Sequence, residues 1–196
     1  YMTDDGSALV FSGSAQMTPG ESGGFKQSYR YDAVRNTLDC LSCPKPGFAN
    51  GFATESFTSG GLFALEDLDI TALSEDGDTA VFRTQSRLAS RDVNNDFDIY
   101  EWRNGIVSLI TAGTTSYGAQ SANLPLGVSP SGRDVFFTDP SALTSEVLGG
   151  EKPAPQVYDA RIGGGFPTAA VDPPCQGEDC RGPRAEVPPD VAAGSA

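Results

Sequence analysis

Residues 73–88 read LSEDGDTAVFRTQSRL: an apolar residue, a hydroxyl, two acids and a glycine, then a run of Thr, Val and Phe that suits an extended chain. Asp76-Gly77 supplies the positive φ of a tight turn, and Ser74 places a hydroxyl where it caps the turn backbone. The same grammar recurs twice. Residues 2–17 read MTDDGSALVFSGSAQM and residues 128–143 read VSPSGRDVFFTDPSAL, so Gly6, Gly77 and Gly132 align. Four residues before each glycine stands Met2, Leu73 or Val128, and three before it Thr3, Ser74 or Ser129. Five after it stands Phe11, Phe82 or Phe137, and eleven after it Met17, Leu88 or Leu143. A tyrosine followed by an acid closes each unit in this alignment: Tyr31-Asp32, Tyr100-Glu101 and Tyr158-Asp159.

The middle copy is the complete one. It predicts strands near residues 70–73, 79–84, 98–102 and 106–111, with turns at SEDG and RNG. Four antiparallel strands make one blade of a β-propeller. The expectation is an all-β chain of roughly three four-stranded blades, over residues 1–60, 61–112 and 113–166. The first copy begins at its turn and is expected to lack its opening strand, and the third runs on without a closing strand. Rings need about four to eight blades, so this one is expected to be incomplete. The longest insertion, residues 44–68, belongs on a loop. Residues 167–196 hold many Pro, Gly and Ala and few large apolar residues, which predicts a flexible tail.

Charge and composition exclude several classes of function. Lys and Arg number 13 against 26 Asp and Glu, a formal net charge of -13 that repels a phosphate backbone. Neither nucleic acid nor an anionic membrane surface is an expected partner, and membrane contact is expected only through regions outside this chain. The 196 residues include no histidine, which removes the commonest general base and the usual nitrogen ligand of catalytic zinc. The segment GESGG at residues 20–24 matches the spacing of a nucleophile elbow but has neither a helical pattern after it nor a histidine to activate Ser22. Gly163–Gly165 likewise lacks the strand, helix and acidic partner of a dinucleotide fingerprint. No catalytic residue and no bound cofactor is expected.

One series invites a metal. Asp92, Asn94, Asp96 and Asp98 place oxygens at alternating positions, as a calcium loop does. Phe97 stands where such a loop needs a glycine and Arg103 where it needs a bidentate glutamate, and the competing reading is Asx turns ahead of a strand. Tyr100 and Trp102 lie two apart and so share one strand face, which either anchors a partner or packs between blades.

LSEDGDTAVF, DVNNDFDIYEWRNGIVSLI, GVSPSGRDVFFT and VYDARIGGGFP, followed by CQGEDC, together resemble the TolB-type, WD-repeat-like β-propeller repeats of secreted actinobacterial proteins. That resemblance implies an extracellular or cell-envelope location and a role in protein interaction or scaffolding, with a protein partner. It brings no catalytic residue. The alternatives are an accessory propeller of a larger secreted hydrolase and a carbohydrate-binding module built on Trp102. In a secreted protein, Cys40 with Cys43 and Cys175 with Cys180 are the favoured disulfides among the three possible connectivities. A four-thiolate zinc site is the rival, and a thioredoxin-like redox CxxC the weaker reading, because CLSC follows a strand rather than opening a helix.

Overall fold

Each turn glycine adopts the left-handed backbone that its neighbours dictate, with φ of 72° at Gly6, 71° at Gly77 and 68° at Gly132. The hydroxyl three residues earlier caps each turn in the same way. Thr3 Oγ1 accepts from Ala8 N at 3.0 Å, Ser74 Oγ from Thr79 N at 3.0 Å, and Ser129 Oγ from Asp134 N at 3.1 Å. The glycine N–H in turn donates to the carbonyl of that hydroxyl residue, at 2.9, 3.0 and 2.8 Å. Three copies of one hydrogen-bonded turn therefore start three copies of one sheet.

The computed structural model describes residues 1–19, 26–43, 71–115, 123–144 and 155–164. Its elements are β1 (Ala8–Gly13), β2 (Gln27–Asp32), β3 (Thr37–Cys40), β4 (Thr79–Thr84), β5 (Asp98–Arg103), β6 (Ile106–Leu109), β7 (Leu124–Val128), β8 (Asp134–Asp139) and β9 (Gln156–Arg161). They form three antiparallel sheets, β1-β2-β3, β4-β5-β6 and β7-β8-β9, with no helix among the described residues. Contacts divide the chain into Tyr1–Gly165, which holds every sheet, and Phe166–Ala196, which lies outside the described residues.

Among the described residues each sheet has three strands where four were expected. In the first two, the described part of the opening segment makes a single bridge, Met2 to Leu9 and Leu73 to Ala80. The first sheet does not lack its opening segment: Val10 N donates to Tyr1 O at 2.8 Å. In the third sheet the opening strand is complete, as β7 with a bulge between Pro125 and Gly127, and β9 is the last described strand. The β5–β6 turn uses Asn104 and Gly105 with φ of 47° and 85°, the left-handed pair a two-residue hairpin needs.

The sheets stack face to face. Alternation along β1, β4 and β8 sends Ala8 and Val10 of the first sheet toward the second, and Ala80 and Phe82 of the second back to meet them in one core cluster with Tyr100 and Trp102. Val81 and Ile99 leave the opposite face of the second sheet and pack with Val128, Val135, Phe137 and Tyr158 of the third. This explains why all six residues of β4 are buried, with no alternation visible. The turn glycines lie in the seams: a Cβ on Gly77 would come 2.5 Å from Ala8 Cβ, and one on Gly132 2.5 Å from Thr79 Oγ1.

Within each sheet one aromatic pair recurs, Phe11 with Tyr29, Phe82 with Tyr100 and Phe137 with Tyr158, ring centroids 5.5, 6.0 and 5.6 Å apart. The tyrosine equivalent to Tyr100 and Tyr158 is thus Tyr29, not Tyr31. Its hydroxyl anchors the connections β1–β2, β4–β5 and β8–β9: Tyr29 donates to Ala15 O at 3.1 Å and Tyr158 to Ser141 O at 2.5 Å, while Leu88 N and Leu143 N donate to Tyr100 and Tyr158.

Candidate functional site

A cleft opens where the first sheet meets the second. Arg30, on β2, is buried there with its guanidinium 4.8 Å from the centre of the Trp102 ring. Its Nε donates to Gly77 O at 2.7 Å, and its Nη1 meets Asp32 at 3.2 Å. A buried cation persists only when it is paired and hydrogen-bonded, and here a carboxylate, a turn carbonyl and an aromatic face together meet that requirement. Asp32 also accepts from the Arg35 backbone N–H at 2.8 Å and from the Arg35 guanidinium at 2.8 Å. That backbone bond, joined by the two arginines against the opposing effect of burial, holds the Asp32 carboxyl down at about 2.

Above this anchor lies a cleft of about 370 Å³ lined by Arg35, Asp39, Asp78, Asn104 and the edge of Trp102. A smaller hollow of about 210 Å³ shares Asp39 and Trp102 and reaches the Cys40–Cys43 disulfide. While the two cysteines are joined, neither offers a thiolate to a metal. Cys175, Cys180 and the GESGG segment lie outside the described residues, as does Gly165 of the glycine run.

Tyr100 and Trp102 do not form an exposed pair. Both are buried in the seam, and Trp102 has Arg30 over its ring.

The Asp92–Asp98 series makes hydrogen bonds to nearby strands and loops. Asp92 accepts the Tyr100 hydroxyl, in place of the backbone carbonyl that takes this bond in the other two sheets. Asn94 Oδ1 accepts from Asp96 N at 2.8 Å, an Asx turn, while Asn94 Nδ2 donates to Thr115 O at 3.1 Å. Asp98 accepts the Thr111 hydroxyl at 2.5 Å. The carbonyls a calcium loop would contribute are taken by a protein cation: Arg87 donates to Asn94 O at 2.7 Å and Val93 O at 2.9 Å. Among the described residues no group of three or more acidic or cysteine side chains is arranged to hold a metal. Thermal melts in EDTA and in millimolar calcium are therefore expected to coincide. A calcium-dependent rise in melting temperature, lost in Asp96→Ala, would contradict this assignment.

Burial pushes the Asp92 carboxyl up to about 6, and the nearby Asp98 charge adds to it, against the Tyr100 hydroxyl bond and Arg87. Burial likewise raises Asp98 and the Tyr100 hydroxyl. Because the folded Asp92 binds its proton more tightly than the unfolded chain does, its contribution is complete below about pH 4 and is lost as pH rises through about 6. Asp32 has the opposite sign and acts only as pH falls from about 4 through about 2. Urea denaturation is expected to show about 1 kcal/mol more stability from this group at pH 5 than at pH 7. Asp92→Asn, which keeps an acceptor for Tyr100, is expected to lose that gain; an unchanged pH profile would contradict it.

Arg30 is the site residue that sequence reasoning passed over. Its signal was present: Tyr29, like Tyr100, stands 23 residues after its turn glycine, and that register makes Arg30 the counterpart of Glu101.

Comparison with known proteins adds little to this. No family model matches the chain, and no curated protein matches it. Among solved structures the chain is similar to TolB from Acinetobacter baumannii, with a TM-score of 0.42 and 14% sequence identity. The match covers 83% of this chain and 29% of that one, so the chain spans under a third of its length. At that identity the likeness carries no functional residue over.

Proposed function

We propose that the chain is a non-catalytic β-propeller segment of the extracellular space or cell envelope, and that it binds a protein partner at the cleft between its first and second sheets. The observation that carries this reading is the cleft itself: both signs of charge, from Arg35, Asp39 and Asp78, stand around Trp102 and the Asn104-Gly105 turn. Such a surface complements a polypeptide bearing charges of both signs around an apolar anchor. The buried titratable groups Asp92, Asp98 and Tyr100 bond one another and the loop, and none of them lines the cleft. The Cys40–Cys43 disulfide supports an oxidising compartment. The net charge of -13 argues against nucleic acid.

The test is site-specific photocrosslinking in cells that export the protein. A photoreactive residue at Arg35, whose side chain is 73% exposed, is expected to capture one dominant protein. The same probe at the exposed Val93, away from the cleft, is expected to capture none. Equal capture at both positions, or none at Arg35, would overturn the reading.

A further inference from the structure

The two seams inside the chain obey one rule, and the rule names the surface that a further sheet would meet. On the side facing the following sheet, each repeat presents the same positions. Val10 and Val81 are equivalent, and both are 0% exposed because the next sheet covers them. Their counterpart in the third sheet is Phe136, 41% exposed. Ile99 is buried in the second seam, whereas its counterpart Val157 is 66% exposed. An aromatic and a β-branched residue thus stand at seam positions open to solvent.

The polar half of the seam repeats as well. Arg30 donates to Gly77 O, the carbonyl of the turn glycine in the following sheet, and Arg103, paired with Glu101, donates to Gly132 O. Arg161 stands in the register position of Arg103, and Asp159 in that of Glu101. Arg161 bonds Asp134 at 2.5 Å and lies 3.8 Å from Asp159, so its guanidinium is held at the same strand edge.

The first sheet carries the complementary half. A Cβ on Gly77 or Gly132 runs into the preceding sheet, but one on Gly6 meets nothing within 4 Å. Leu9 and Phe11, in the positions of the buried Ala80 and Phe82, are only half-buried. Tyr29, the counterpart of Tyr100 on this face, is 0% exposed, so the accessible apolar surface there comes from Leu9 and Phe11.

We propose that the outer face of the third sheet receives the Gly6 turn and the first sheet of a second copy of this chain, continuing the stack between molecules. The contact is head-to-tail, with different residues on its two sides, so closure depends on both ends being free. This holds whichever partner takes the cleft. Two chains of net charge -13 repel, so association is expected to strengthen as salt rises to about 0.5 M.

Sedimentation velocity of the full chain across a concentration series in high salt tests this. The wild type is expected to associate. Phe136→Asp at one end and Leu9→Asp at the other are each expected to weaken association more than about tenfold. Val157→Lys, at a more exposed position, guards against a variant that fails to fold, and circular dichroism confirms the sheets in all. The decisive arm mixes the two aspartate variants: each retains one intact end, so the mixture is expected to form heterodimers and stop there. A wild type that stays monomeric throughout would overturn the proposal, as would association that none of the substitutions weakens or a mixture that forms no heterodimer.

Discussion

Gly77→Ala is expected to destabilise the protein by about 3 kcal/mol, against about 1 kcal/mol for Gly6→Ala, although the two glycines occupy the same turn with the same backbone conformation. The shared part is the cost of a side chain at positive φ, about 1 kcal/mol at each site. The difference comes from the seam. At Gly77 the new methyl would stand 2.5 Å from the Ala8 Cβ, an atom that no rotamer change can move, so the second sheet must lift off the first. At Gly6 there is open space. Equilibrium denaturation in urea measures both, and equal losses would mean that the turn glycines serve only their own turns.

Trp102→Ala is expected to cost about 4 kcal/mol, the range for emptying a large buried aromatic from a core. Trp102 belongs to the cluster that joins the first two sheets, with Val10, Leu41 and Leu88 among its members. Truncation leaves a void in the seam and removes the ring from beneath the Arg30 guanidinium, which stays buried. Circular dichroism is the readout, because Trp102 is the only tryptophan. A loss below about 1 kcal/mol would mean that the ring is a surface feature rather than part of the core.

These two sites show which parts of the structure were readable from residues alone. The turns were readable because their chemistry is local: a hydroxyl, a glycine three residues on, and β-branched or aromatic residues after it determine the same hydrogen bonds wherever they occur. The middle repeat's strands β4, β5 and β6 fall where the Gly77 turn, the Val and Phe after it and the Asn104-Gly105 hairpin place them. What local chemistry does not specify is how one sheet sits on another. β4 reads as an undivided run because both its faces are covered, and Arg30 reads as a solvent-facing cation although Trp102 and Gly77 O enclose it. Tyr31 was aligned through its following acid, whereas the stacked partner of Phe11 is Tyr29, whose only advertisement is its distance from Gly6. The Asp92–Asp98 series suggested calcium by its spacing, but one oxygen of Asp92 accepts from Tyr100, one of Asp98 from Thr111, and Asn94 Oδ1 from the loop's own backbone. Spacing records which oxygens are near one another in the chain, not what else approaches them.

The account rests on sheets stacked so that Gly77 and Gly132 each enter the preceding sheet. A double-mutant cycle on Ala8→Gly and Gly77→Ala tests that contact directly. Removing the Ala8 methyl leaves the nearest remaining neighbours of a Gly77 Cβ at 3.4 Å, Thr3 Cγ2, and 3.6 Å, Arg30 Nη2, both ordinary contacts. The penalty of Gly77→Ala is then expected to fall from about 3 kcal/mol to about 1, a coupling of about 2 kcal/mol between residues that lie 69 positions apart in the chain. Additive effects, with no coupling, would contradict the stacking on which the cleft, the seams and the intermolecular continuation all depend.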